Sequence, residues 1–178
     1  VWVYDSTLGV WDKVAANDTN ISDQTGTLGS GVTFPAGHVI QVVHVLHSTT
    51  VTTSNAETQL TTSAITPKFA SSKILIDYRP QGRMASALNN NTFEYGFKIM
   101  RGSTSILTET SYAKSNAVSD GSNLYGTIIG PALHSDTPNS ISAVTYTFSI
   151  LINGGTMGTM SINNYGAVSS ITLTEITQ

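Results

Sequence analysis

SAVTYTFSILI, residues 142–152, is the stretch that decides the fold. Val144, Tyr146, Phe148, Ile150 and Ile152 alternate with Thr145, Thr147, Ser149 and Leu151. Successive side chains of an extended strand point to opposite faces, so this spacing collects five large apolar groups on one face. A helix would scatter the same residues around its circumference. Branched and aromatic side chains also fit a pleated surface better than a helical one.

The same period recurs outward from this stretch. In TFEYGFKIM (92–100), Phe93, Tyr95, Phe97 and Ile99 alternate with Glu94, Gly96, Lys98 and Met100. In SSKILIDYRP (71–80), Ile74, Ile76 and Tyr78 alternate with Leu75, Asp77 and Arg79. HVIQVVHVLHSTTVTT (38–53) is apolar on both faces, with Val39, Val43 and Val45 on one and Ile40, Val42 and Leu46 on the other, which predicts a strand buried on both sides. Shorter candidates fall at 58–62, 104–110, 123–129, 157–163 and 168–177. Turn residues separate the runs at 89–91, 101–103, 119–122, 136–139 and 153–155, and Asn153-Gly154-Gly155 predicts a tight hairpin. No segment shows a helical period. Eight to ten strands at roughly 10–15 residue spacing predict an all-β antiparallel fold, a sandwich, jelly roll or barrel.

The N-terminal region reads differently. Residues 1–14, VWVYDSTLGVWDKV, are two short aromatic and β-branched runs around a turn, which predicts a β-hairpin. A lone two-stranded hairpin is marginally stable in water. Residues 15–37 are rich in Ser, Thr, Asn, Asp and Gly without a period, as a linker is. The expected division is 1–30, a hairpin carrying Trp2, Tyr4 and Trp11 with its linker, which needs another surface to lean on, and 31–178, an all-β main domain.

Composition narrows the function. Charged residues make up 11% of the 178, against about 25% in a typical soluble domain. Polarity comes instead from 26 Thr, 22 Ser and 12 Asn. A net charge of −3 provides no cationic footprint for phosphates, so nucleic acid is not an expected partner. No apolar run approaches the ~18 residues of a helical membrane span, so no membrane insertion is expected. With no Cys, thiol catalysis, disulfides and zinc–thiolate sites are excluded.

The chemistry-bearing residues do not form a motif. His44 and His47 are three apart on a strand and face opposite ways, while His38 and His44 are separated by about 20 Å at ~3.3 Å per residue. Three copies of one His around a threefold axis are the exception that could hold an ion. The acids are scattered singly, without the pairing that glycoside hydrolysis uses. Neither a Gly-x-Ser-x-Gly elbow nor a phosphate-cradling glycine loop occurs. The expectation is no catalytic residue, no cofactor and no metal site. Two polar stretches, 83–91 and 115–125, offer hydrogen-bonding groups and an aromatic face suited to sugar hydroxyls, with Asn89, Asn90, Asn91, Asp120, Asn123 and Tyr125 as binding-loop candidates.

Two sets of residues resemble a known group. VWVYDSTLGVW (1–11) is similar to a turn-and-Trp motif of bacteriophage tail-fibre and related virion proteins, with Ser6 where Gly is frequent. FPAGHVIQVVH (34–44), ITPKFASSKILI (65–76), RGST (101–104), TYTFSILI (145–152) and SSITLTEI (169–176), in that order, resemble the C-terminal domains of phage fibre-like proteins. The resemblance implies a homotrimeric jelly roll of the tumour-necrosis-factor and C1q shape. It also implies a place on the virion surface, contacts with other virion proteins through the N-terminal region, and host attachment by multivalent binding. A capsid decoration or head-fibre protein is the alternative within the same fold. A doubly apolar strand suits the trimer, because a threefold neighbour can cover one face; Val39, Val43, Val45 and His44 are the interface candidates.

Overall fold

Strands carry the whole of the described chain between turns, and no helix occurs among the described residues. The computed structural model describes residues 2–5, 10–13, 34–54, 57–86, 92–116, 124–128, 132–152 and 159–178. The strands are β1 (Trp2–Asp5), β2 (Val10–Lys13), β3 (Val39–His47), β4 (Val51–Thr53), β5 (Glu57–Ile65), β6 (Lys73–Arg79) and β7 (Gly82–Ser86). They continue with β8 (Thr92–Arg101), β9 (Thr104–Asn116), β10 (Leu124–Ile128), β11 (Ala132–Asp136), β12 (Val144–Ile152), β13 (Thr159–Ile162) and β14 (Ser169–Ile176). The chain divides into two units, Val1–Phe34 and Pro35–Gln178. The first holds the expected hairpin: β1 and β2 pair antiparallel, with Tyr4 opposite Trp11.

In the second unit, sheets of order β11-β6-β14-β3 and β10-β7-β13-β4 repeat one pattern. Each strand of one sheet continues, after a short break, as a strand of the other: β3 into β4, β6 into β7, β10 into β11 and β13 into β14. Together they form a front layer. The back layer has the order β5-β12-β8-β9. Counted as eight strand positions along the chain, the layers read 1-8-3-6 and 2-7-4-5, the winding of a jelly roll.

Strand β12 lies between β5 and β8 and behaves as its alternation predicts. Tyr146, Phe148 and Ile150 are fully buried, and Val144 and Ile152 nearly so. Against them the front layer sets Ile74, Ile76, Tyr78, Ile171 and Leu173. The Tyr78 ring lies 4.8 Å from that of Phe148 and meets Phe97 edge-on at 6.3 Å. Burying a large apolar side chain is worth about 1.5–3 kcal/mol, so this interlayer cluster is the main favourable term of the fold. At a bulge between Phe148 and Ser149, Leu60 becomes an extra residue in β5 and joins the core.

Polar straps reinforce the core. Asp136, on front strand β11, accepts hydrogen bonds from the Tyr146 hydroxyl at 2.9 Å and from Arg101 Nη1 at 3.0 and 3.1 Å, both on the back layer. Buried Glu175 accepts at Oε1 from the Lys68 and Phe69 amides and the Ser72 hydroxyl, and at Oε2 from Gln41 Nε2. That carboxylate pins the 66–72 connection to β14.

Two expectations need correction. Strand β3 is not buried on both sides: among the described residues it is the edge of its sheet, paired with β14 alone, and Val39, Val42 and Leu46 are exposed. Nor do Val39, Val43 and Val45 share a face. A bulge between Glu175 and Ile176 sets Val39 opposite Ile176 while Gln41 opposes Glu175, so Ile40 is the extra residue and Val39 moves outward. The expected hairpin turn Asn153-Gly154-Gly155 lies outside the described residues; of the strands before and after it, β12 pairs with β5 and β8, and β13 with β4 and β7. Strands β7 and β11 were not expected, β7 because Arg83–Ser86 reads as part of a polar loop.

Candidate functional site

Facing residues of an antiparallel pair share a side, so the pairing register sorts the front layer by face. Ile171 and Leu173 lie opposite Val45 and Val43 on one flank and Tyr78 and Ile76 on the other, all toward the core. Thr172 and Thr174 oppose His44 and Val42, and Asp77 and Leu75, all facing away from it. Strand β11 adds Leu133, opposite Asp77, and Ser135, opposite Leu75.

This outward face is unusually apolar for a surface. Leu133 and Leu46 are 63% and 66% exposed, Val42 55%, Val39 50% and Leu75 40%. Scattered exposed aliphatics are ordinary, but these five stand on three strands of one four-stranded sheet: β3, β6 and β11. Between them stand the hydroxyls of Thr172, Thr174, Ser135 and Ser170, with Lys73 at the end of β6 opposite Ile176. The ionic pair within the patch, Asp77 and Arg79, is self-neutralising at 2.8 Å. His44 is held by Thr172, Nδ1 to Oγ1 at 2.9 Å. A groove of about 480 Å³ runs along one flank, lined by Leu75, Asp77, Leu133, Ser135, Thr172 and Thr174 among others.

The breaks in the front layer form a second polar focus. Asn163, at φ 55°, is buried and satisfied on every side. Its Nδ2 reaches His47 Nδ1 at 2.8 Å and donates to the Thr49 carbonyl; its Oδ1 accepts from the Ser169 amide and hydroxyl. The Gln81 carbonyl accepts from the Asn163 amide, and the Ser169 hydroxyl accepts from the Gln81 amide. This network closes the 163–168 excursion, on which Tyr165 stands 84% exposed at φ 53°. Its groups are turned to one another.

Of the binding-loop candidates, Asn89, Asn90, Asn91, Asp120 and Asn123 lie outside the described residues; Tyr125 is on β10, opposite Ala85. Trp2, Tyr4 and Trp11 lie on the paired strands β1 and β2. Val43 and Val45 sit on the core side of β3, and Val39 and His44 on the outward side. Sequence reasoning did not assemble Leu46, Val42, Leu75 and Leu133 as one patch. Each lay at an alternate position of its own run, but register alone brings them together, and Leu133 sits on the unexpected strand β11.

No protein-family model matches the chain, and no curated protein matches it. Among solved structures, it is similar to a chain in the structure of infectious bursal disease virus Gt strain, at 10% identity and a TM-score of 0.35, covering 87% of this chain and 42% of that one. The Gx strain structure gives 11% identity and a TM-score of 0.38 over 87% and 42%. A structure of T=1 particles derived from infectious bursal virus gives 12% identity and a TM-score of 0.37 over 86% and 42%. The chain thus spans about two fifths of the length of those chains, and its jelly-roll assignment rests on its own strand order.

Proposed function

We propose that this chain is a structural subunit of a virus particle: a bacteriophage fibre or spike protein, homotrimeric, whose head contacts the host surface. The observation that carries the reading is the outward apolar face of the front layer. A sheet face bearing Leu133, Leu75, Val42 and Leu46 among Thr and Ser is costly to leave in water, and covering it with further copies removes the cost. The resemblance of the 1–11 and 34–178 stretches to phage fibre proteins supplies the particle. The N-terminal hairpin unit would dock on other virion proteins, and the head would bind a host glycan or protein. Three weak sites on one head give avidity without a strong single contact. The reading assigns the chain no catalytic role, cofactor or metal.

Native mass spectrometry tests the assembly: a species at three times 18.8 kDa is expected, and a single copy would sink the reading. Particles whose subunit lacks residues 35–178 should assemble yet fail to adsorb. Normal adsorption with fragile heads would instead identify a capsid decoration protein.

A further inference from the structure

We infer that His47 makes the front layer acid-sensitive: the joint built on Asn163 holds the neutral imidazole and releases the protonated one. The joint ties three of the four places where the front layer breaks. Asn163 opens the connection from β13 to β14, Thr49 and Thr50 lie between β3 and β4, and Gln81 lies between β6 and β7. The Asn163 carbonyl accepts from the Thr50 hydroxyl at 2.8 Å, and the Asn163 amide donates to the Gln81 carbonyl at 2.8 Å. The side chain of Asn163 has one possible orientation. The Ser169 amide can only donate, and it meets one end of that side chain at 3.0 Å, so this end is the oxygen. The Ser169 hydroxyl accepts from the Gln81 amide and turns its own proton to the same oxygen. The other end is then the NH2 group, and the Thr49 carbonyl, which can only accept, meets it at 3.1 Å.

His47 Nδ1 stands 2.8 Å from that NH2 group. A ring nitrogen facing a fixed donor has to offer a lone pair, which assigns the ring as neutral with its proton on Nε2. An imidazolium carries a proton on both nitrogens; it would set donor against donor and has to turn away. His44 shows the contrast. Its Nδ1 meets the Thr172 hydroxyl at 2.9 Å, and a hydroxyl can donate to a neutral ring or accept from a charged one. The groups around His47 do not offset the change. Ser169 faces it on β14. Segments 48–50 and 163–168 carry no charged side chain, and Tyr165 is their one titratable residue. On β6 the Tyr78 phenol lies by Ser169 and is held protonated by burial, while Asp77 and Arg79 pair with each other on the outward face. The closed joint accepts only the neutral ring, and the open joint accepts both forms, so acid favours opening. The range is the one over which histidine changes charge, between about pH 8 and 5. What acid loosens is the 163–168 excursion and its hold on the neighbouring breaks.

Two measurements on the whole wild-type chain test this. Nitrogen-15 shifts of the imidazole at about pH 8 should show His47 with a bare Nδ1 and a protonated Nε2; a proton on Nδ1 overturns the inference. Hydrogen exchange, corrected for its intrinsic pH dependence, should show the Gln81, Asn163 and Ser169 amides losing protection roughly two- to tenfold between about pH 8 and 5.5. That factor is the worth of one ordinary hydrogen bond. The Leu173 amide, in the middle of β14, should hold. His47→Gln keeps an acceptor that cannot take a charge and should abolish the pH dependence, whereas His44→Gln should leave it in place. Constant protection in the wild type, a loss that persists in His47→Gln, or an equal loss at Leu173 overturns the acid-sensitive joint.

Discussion

Gly82 opens β7, where the front layer breaks, and a Cβ there would lie 2.6 Å from the Ser161 carbonyl oxygen and 3.0 Å from the Ile162 Cα. Both are backbone atoms of the paired strand β13 and cannot turn aside. Gly82→Ala should therefore cost about 1–3 kcal/mol, read as a fall in the denaturation midpoint; an unchanged midpoint would show that β13 yields. Tyr146 carries a second prediction. Burial, then its hydrogen bond and proximity to Asp136, push its phenol far above the ordinary value of 10.0. Burial does the same to Tyr78. A folded-state pKa raised in this way leaves stability intact below about pH 10 and erodes it as pH climbs above, where the unfolded chain loses protons first. Unfolding midpoints followed from pH 8 to about 12 should drop only in the upper part of that range, and Tyr146→Phe should make the drop shallower.

Among the elements, the 66–72 connection depends on one side chain of β14. Glu175→Ala would leave the Lys68 and Phe69 amides without their carboxylate and cost about 3 kcal/mol. Hydrogen exchange should accelerate at those two amides before the rest of the sheet; uniform acceleration would mean that the carboxylate supports the whole layer. The elements also show why the sequence was readable in places. In the first half of β12, residues 144–148, one face meets the core and period and burial coincide, whereas from Phe148 to Ile152 every residue is buried. In β3 the alternation fails, and two causes were open: burial on both sides within the chain, or an outward face awaiting another molecule. Only the pairing partners of β3 separate them. The bulge that reassigns Val39 likewise leaves no mark in the period of a single strand. Strand β11, five residues with Leu133 and His134 at its centre, is too short to stand out from a loop.

For the whole molecule, low charge has a measurable consequence. If assembly rests on aliphatic burial, the copy number should hold between about 0.05 and 1 M salt, although the screening length shortens several-fold over that range. Dissociation at high salt would point to an ionic interface instead. Assembly also makes the unfolding temperature of the wild-type chain rise with protein concentration, and Leu133→Glu should abolish that dependence.

The sequence by itself determined the class of fold. Period-two runs, absent helical periods and the hairpin at the N terminus are local properties, and local sterics make them legible. Composition likewise excluded thiol chemistry. Tertiary structure alone decided which strands are neighbours, which layer each joins and which apolar residues face outward. Register is a relation between distant segments: Thr172 of β14 brings together His44 of β3 and Asp77 of β6 only once the chain has wound. The outward face, on which the assembly proposal stands, exists through that winding.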